Sequence, residues 1–183
     1  IISLWLTIPL GCAPTHKISD PGLDKKAGTI TQKIRQTNQD INTSKGVGWI
    51  KTLNGRHTQK YKIAWAAAFP HKIRITFLVS GHPFETIAAD GKKVTFVSHT
   101  GNHKLHTTHT RDPDMEEFIN IPVKLSELIS LLLGRLPVKK YDTAVFSPDD
   151  PALKTIVLTK LWSNTRQTLF LDDNNSPVGL KKT

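Results

Sequence analysis

Acidic residues are scarce in this 183-residue chain, with 15 Asp and Glu against 25 Lys and Arg, a formal charge of +10. Cysteine is scarcer still. The single Cys12 excludes an internal disulfide, so stability has to come from packing. No apolar run approaches the roughly 20 residues of a membrane-spanning helix. There is no Gly-x-Gly-x-x-Gly or Walker pattern to cradle a phosphate and no Gly-x-Ser-x-Gly elbow. Ser80 in Val79-Ser80-Gly81-His82 has its histidine only two residues away, without a third partner to orient it. These absences argue against an enzyme, and no catalytic residue and no cofactor are expected. Internal repeats and low-complexity segments are also missing. The positive charge is dispersed (Lys25, Lys51, Lys62, Arg74, Lys93, Lys140), with neither a basic helix nor an RNA-binding aromatic signature. No nucleic-acid partner is therefore expected. What remains is an anionic lipid surface, at about 1 kcal/mol per nearby cation, or a merely solvated basic face.

The first twelve residues read differently from the rest. An uncharged run, IISLWLTIPL, stops at Gly11 and Cys12. That run has the length of a signal-peptide core, and a small residue before a closing cysteine reads as a lipoprotein signal whose thiol takes the lipid. Residues 1–11 are expected to be the remnant of that signal, its basic start and initiator Met missing. Pro9 and Leu10 depart from the usual lipobox, and a buried strand ending in an inert cysteine is the competing reading. Residues 12–20 then form a polar tether, and 21–183 one domain, large enough to bury a core.

Asp20 and Pro21 make an N-cap and first-turn pair, and Leu23, Ala27, Ile30, Ile34 and Ile41 recur at helical spacing, which predicts an amphipathic helix over 21–41. From Gly46 the period becomes 2. Tyr61, Ile63, Trp65, Ala67 and Phe69 alternate with Lys60, Lys62 and alanines, and Ile73, Ile75, Phe77 and Val79 alternate with Lys72, Arg74 and Thr76. One sheet face is thus aliphatic and aromatic, Trp49 and Phe96 included, and the other is basic. Further strands read at 47–54, 84–89, 93–99, 103–110, 141–147, 153–162 and 166–172, and 178–183 reads as the opening of another, with the last strands of the domain missing. Strands of this length and spacing predict a β domain whose sheet curls on itself.

Between about 112 and 134 the strands give way to helix. Asp112-Pro113 is a second cap pair, and LSELISLLLG carries Leu125, Leu128, Ile129 and Leu132 on one face with Gly134 as the stop. Apolar nearly all round, this helix has to be buried. His99, His103, His106 and His109 form a candidate metal cluster, but strand parity puts His106 on the face opposite His103 and His109, and no cysteine or carboxylate completes a tetrahedral set. A solvated polar hairpin is the favoured reading, and no metal is expected. Asp149-Asp150 and Asp172-Asp173 sit in turn contexts. The apolar face closed by the leucine-rich helix fits either a filled core or a ligand cavity; both have the same alternation.

The order of these features is similar to that of the outer-membrane lipoprotein receptor LolB and its relatives in the LolA/LolB superfamily. The resemblance spans about 45–183 and is carried by HKIRITFLVSGHPFETIAADGKKVTFV and by Leu133-Gly134-Arg135-Leu136-Pro137. It implies a mainly β fold with a few helices: an unclosed antiparallel half-barrel with a helical lid over a hydrophobic concavity. It also implies a monomeric outer-membrane lipoprotein that faces the periplasm, anchored through Cys12. Its cavity would receive acyl chains or lipoproteins from a soluble LolA-like carrier and pass them to the outer membrane. The expected cavity wall is Trp49, Tyr61, Ile63, Trp65, Ile73, Ile75 and Phe77, the lid Leu128, Ile129 and Leu132, and the membrane-insertion loop Leu78 or Phe84. The alternative is a structural or other lipid-binding envelope lipoprotein of the same fold without receptor activity.

Overall fold

A computed structural model describes residues 20–54, 57–101, 104–116, 123–163 and 165–182. The fold is mainly β, with two antiparallel sheets, neither of them closed, and two helices among the described residues. Helix α1 (Pro21–Gln36) leads into β1 (Thr43–Asn54), β2 (His57–Ala68), β3 (Lys72–Val79), β4 (His82–Asp90), β5 (Val94–Ser98) and β6 (Leu105–Thr108). These six strands form one meander. Helix α2 (Leu125–Leu132) follows, and then β7 (Thr143–Phe146), β8 (Thr155–Lys160), β9 (Thr165–Leu171) and β10 (Pro177–Lys182) make the second. The period-2 segments are strands as expected, but they divide into two sheets rather than one sheet that curls on itself. Residues 178–182 lie in β10, which pairs along β9.

Each sheet buries one face under one helix. On the six-stranded sheet, Ile63, Ile73, Ile75, Phe77, Ile87 and Val94 pack with Leu125, Leu128, Ile129 and Leu133 from α2 and its C-terminal end. On the four-stranded sheet, Ile156, Leu158, Leu169 and Leu171 pack with Ala27 and Ile34 of α1. An apolar strand face leaves water only by meeting another apolar surface, and burying one such side chain contributes about 1.5–3 kcal/mol.

Helix α1 starts as its sequence dictates, with Asp20 Oδ1 accepting from the amides of Gly22 and Leu23. It stops at Gln36 rather than 41. The reason is Arg135, which is 5% exposed and donates to the carbonyls of Asn38, Gln39 and Ile41 at 2.7–2.9 Å. Those carbonyls point at the guanidinium instead of along the helix, and Asn38 takes a left-handed φ of 58°.

Asp112 does not cap a helix at 113. Its carboxylate reaches across 14 residues to accept from the amide and hydroxyl of Ser126, in the first turn of α2. The backbone at 113–115 pairs with 123–125 through Met115 N–H to Val123 O and Leu125 N–H to Pro113 O. Asp112 therefore does for α2 what a sequence-adjacent cap would do.

Candidate functional site

The register of β1 against β2 decides which side chains meet α2. Directly paired residues share a sheet face, and Ile50 pairs with Tyr61, Gly48 with Ile63 and Gly46 with Trp65. Nine of the ten expected wall and lid residues, Tyr61, Ile63, Trp65, Ile73, Ile75, Phe77, Leu128, Ile129 and Leu132, fall in one cluster.

Trp49 does not. It pairs with Lys62 on the outer face, is 61% exposed, and has the Lys60 ammonium 4.5 Å from its ring centroid. The inner positions beside it are Gly46 and Gly48, because Trp65 of β2 lies across them. A Cβ on Gly46 would come within 2.7 Å of the Trp65 ring. The Trp65 indole N–H then donates to Ser44 Oγ, and that hydroxyl donates to Leu132 O at the end of α2. Phe69 also leaves the expected face. It lies beyond the end of β2, 45% exposed, with the Arg135 guanidinium 4.6 Å from its ring centroid.

Most wall positions are filled by their neighbours. Ile63, Ile75 and Ile129 are at most 2% exposed, and Tyr61 meets Phe77 edge to face at 5.8 Å. Room remains at one end of the sheet. There an open cleft of about 550 Å³ wraps the sheet end and is lined from both faces, by Ser44, Ala67, Ile73 and Ala89 of the inner face and by Thr43, Lys45, Ala66, Ala68 and Lys72 of the outer one. The volume lies within the range of small-ligand sites, about 300–1,000 Å³. Ala67 and Ile73 belong both to the cleft and to the core.

The expected insertion loop is a two-residue turn. Ser80 and Gly81, with φ of 50° and 84°, join Val79 to His82 in the mirror-image turn that suits a hairpin. Leu78 faces outward beside Lys62 and is half-buried, as is Phe84; Val79 is the exposed apolar residue there. The Leu78 and Phe84 assignments are thus corrected: neither is an exposed loop side chain, since a turn this short keeps both inside strands.

Of the histidines, His99 Nε2 lies 2.9 Å from Thr86 Oγ1, and His106 packs against Phe96. His103, like Cys12, lies outside the described residues. Among the described residues no three His, Cys, Asp or Glu side chains converge on a metal position. The paired acids hold turns: Asp150 accepts from the Ala152 and Lys154 amides, and Asp172 from those of Asn174 and Ser176. A hydrogen bond from Thr155 holds the Asp150 carboxyl below its usual range.

Two joints between the halves escaped sequence reasoning. One is Arg135, a lone cation in an apolar stretch. The other is Glu127, whose carboxylate lies 2.6 Å from Lys182 Nζ on β10 and 4.0 Å from Lys139 Nζ. The glycines at 46 and 48 opposite Trp65 were the signal that Trp49 turns outward. Among the described residues no helix is long and apolar enough to cross a membrane. In comparison with known proteins, no family model and no curated protein matches the chain.

Proposed function

We propose that this chain is an outer-membrane lipoprotein of LolB-like type, anchored through Cys12, facing the periplasm and free of catalytic chemistry. In this reading the six-stranded sheet is an unclosed half-barrel and α2 its lid. The observation that carries it is the cleft at the end of β1–β4, which is of acyl-chain size and shares Ala67 and Ile73 with the core. A chain entering there would extend along the inner face as α2 yields, gaining about 0.8 kcal/mol per buried methylene. Lys45 and Lys72, which line the cleft from the outer face, suit the polar end of a lipid or the acylated terminus of a lipoprotein.

The burial of Ile75 and Ile129, both 0% exposed, favours a second reading, a structural lipoprotein with a filled core. The two separate in one assay. The full chain, loaded with an acylated lipoprotein from a LolA-like carrier, is mixed with liposomes and transfer is followed. Receptor activity predicts transfer that falls when Ala89→Leu narrows the cleft. Absence of both acyl-chain binding and transfer would establish the filled-core reading instead.

A further inference from the structure

We propose that the β8–β9 hairpin tip, Leu161-Trp162, inserts into the interface of an anionic lipid bilayer, oriented by the charge distribution of the four-stranded sheet. Trp162 is 97% exposed and Leu161 69%, two adjacent large apolar side chains facing water. Asp142 Oδ2 accepts from the Leu161 amide at 2.9 Å, which ties the tip to the residue before β7. Trp49, the other exposed tryptophan among the described residues, already has a cation over its ring.

The antiparallel order of β7 to β10 separates the charges. The β7–β8 and β9–β10 connections share one end of the sheet, and these carry Asp149, Asp150, Asp172 and Asp173, with Lys154 paired to Asp173. The β8–β9 connection lies at the other end. There Arg166 stands opposite Thr159, Lys160 opposite Thr165, and Lys139 and Lys140 lead into β7. Helix α1 runs in the same sense: Asp20 and Asp24 share a cleft with Asp150, and Arg35 from its last turn lies over Tyr141. Of the acids near the tip, Asp142 accepts the Leu161 amide and Glu127 is met by Lys182 and Lys139. The tip is thus an exposed Leu-Trp pair with a cationic collar, at the opposite end from the acidic turns. Trp and basic side chains are the residues that settle at bilayer interfaces, and anionic headgroups attract the collar. An acidic solute would satisfy the collar but leave the Leu-Trp pair in water.

The test uses the full chain carrying Cys12→Ser, so that no acyl anchor contributes. Its partition is measured by co-sedimentation with vesicles of equimolar phosphatidylglycerol and phosphatidylcholine, and with phosphatidylcholine alone. Binding is expected to favour the anionic vesicles. Trp162→Ser should weaken it about ten-fold, the equivalent of losing one buried side chain, with the melting temperature unchanged. Lys160→Gln with Arg166→Gln should remove most of the preference for phosphatidylglycerol, and Trp49→Ser should change little. The proposal is overturned if the parent chain does not bind, if Trp162→Ser binds as well as the parent, or if Trp49→Ser is the more damaging. Vesicle binding requires no acyl cargo, so this inference and the receptor reading fail separately.

Discussion

Replacing Arg135 with methionine keeps an unbranched apolar stem, shorter by the guanidinium, and removes every side-chain donor from a buried site. The guanidinium serves three backbone carbonyls, those of Asn38, Gln39 and Ile41, and lies over Phe69. Hydrogen bonds from a charged donor contribute about 1.5–3 kcal/mol each, but here the 38–42 turn borders solvent and water would recover part. Counting about 1 kcal/mol per carbonyl and about 0.5–1 kcal/mol for the aromatic contact gives a loss of about 3.5–4 kcal/mol. For a domain of this size that lowers the melting temperature by roughly 6–15 °C. Lysine retains the charge but not the planar fork, so Arg135→Lys should recover less than half of the loss. Urea unfolding with an unchanged m-value is the assay. A loss under about 1 kcal/mol, or lysine equal to arginine, would show that the turn holds its shape without the guanidinium and that the early stop of α1 has another cause.

Asp112→Ala should destabilise by about 1–2 kcal/mol, the usual size of a lost N-cap, and should raise amide exchange first in the opening turn of α2; uniform exchange across the chain would refute the capping role. Gly46→Val forces the Trp65 ring away and should cost about 1–3 kcal/mol by overpacking. Combining it with Trp65→Phe should recover part of that cost in a double-mutant cycle, and strict additivity would count against the contact. Asp90, Asp150 and Asp173 are each held below the ordinary carboxyl value of 3.8, by the Lys93 and Lys92 amides, by Thr155 and by Lys154 respectively. A depressed folded pKa means that their contribution is present above 3.8 and disappears as pH falls through the lower folded values. Acid titration of stability should therefore show its loss below that point. The part due to Asp173 should shrink in salt, because its partner is an exposed ammonium, and an equally steep slope in Asp173→Asn would refute its share.

Strand positions were legible because burial on one side imposes a two-residue period that Tyr61 to Ala67 and Ile73 to Val79 display without interruption. The leucine-rich segment was legible as a helix from the spacing of Leu125, Leu128, Ile129 and Leu132, but it is buried on one face only: Ser126, Glu127 and Ser130 form a polar side, and Leu131 is 44% exposed. Trp49 was misread for a physical reason. Large apolar residues are assigned inward by default, yet β1 places glycines inward to receive a tryptophan from its neighbour and leaves Trp49 outside. Asp112 illustrates the same limit, since capping chemistry was recognisable but the helix that it caps lies 14 residues away.

By itself the sequence determined the local terms: where the period is 2 and where 3.6, which end of α1 is capped, which strand faces carry cations. These depend on neighbours within a few residues, whose spacing the chain prints directly. Tertiary structure alone decided that the strands divide into two sheets with one helix each, that Arg135 ends α1 from almost a hundred residues away, and that the Leu161-Trp162 tip lies opposite the acidic turns. Those outcomes depend on which surfaces meet. A buried guanidinium finds its carbonyls, and a hairpin its end of the sheet, only when packing brings distant segments together.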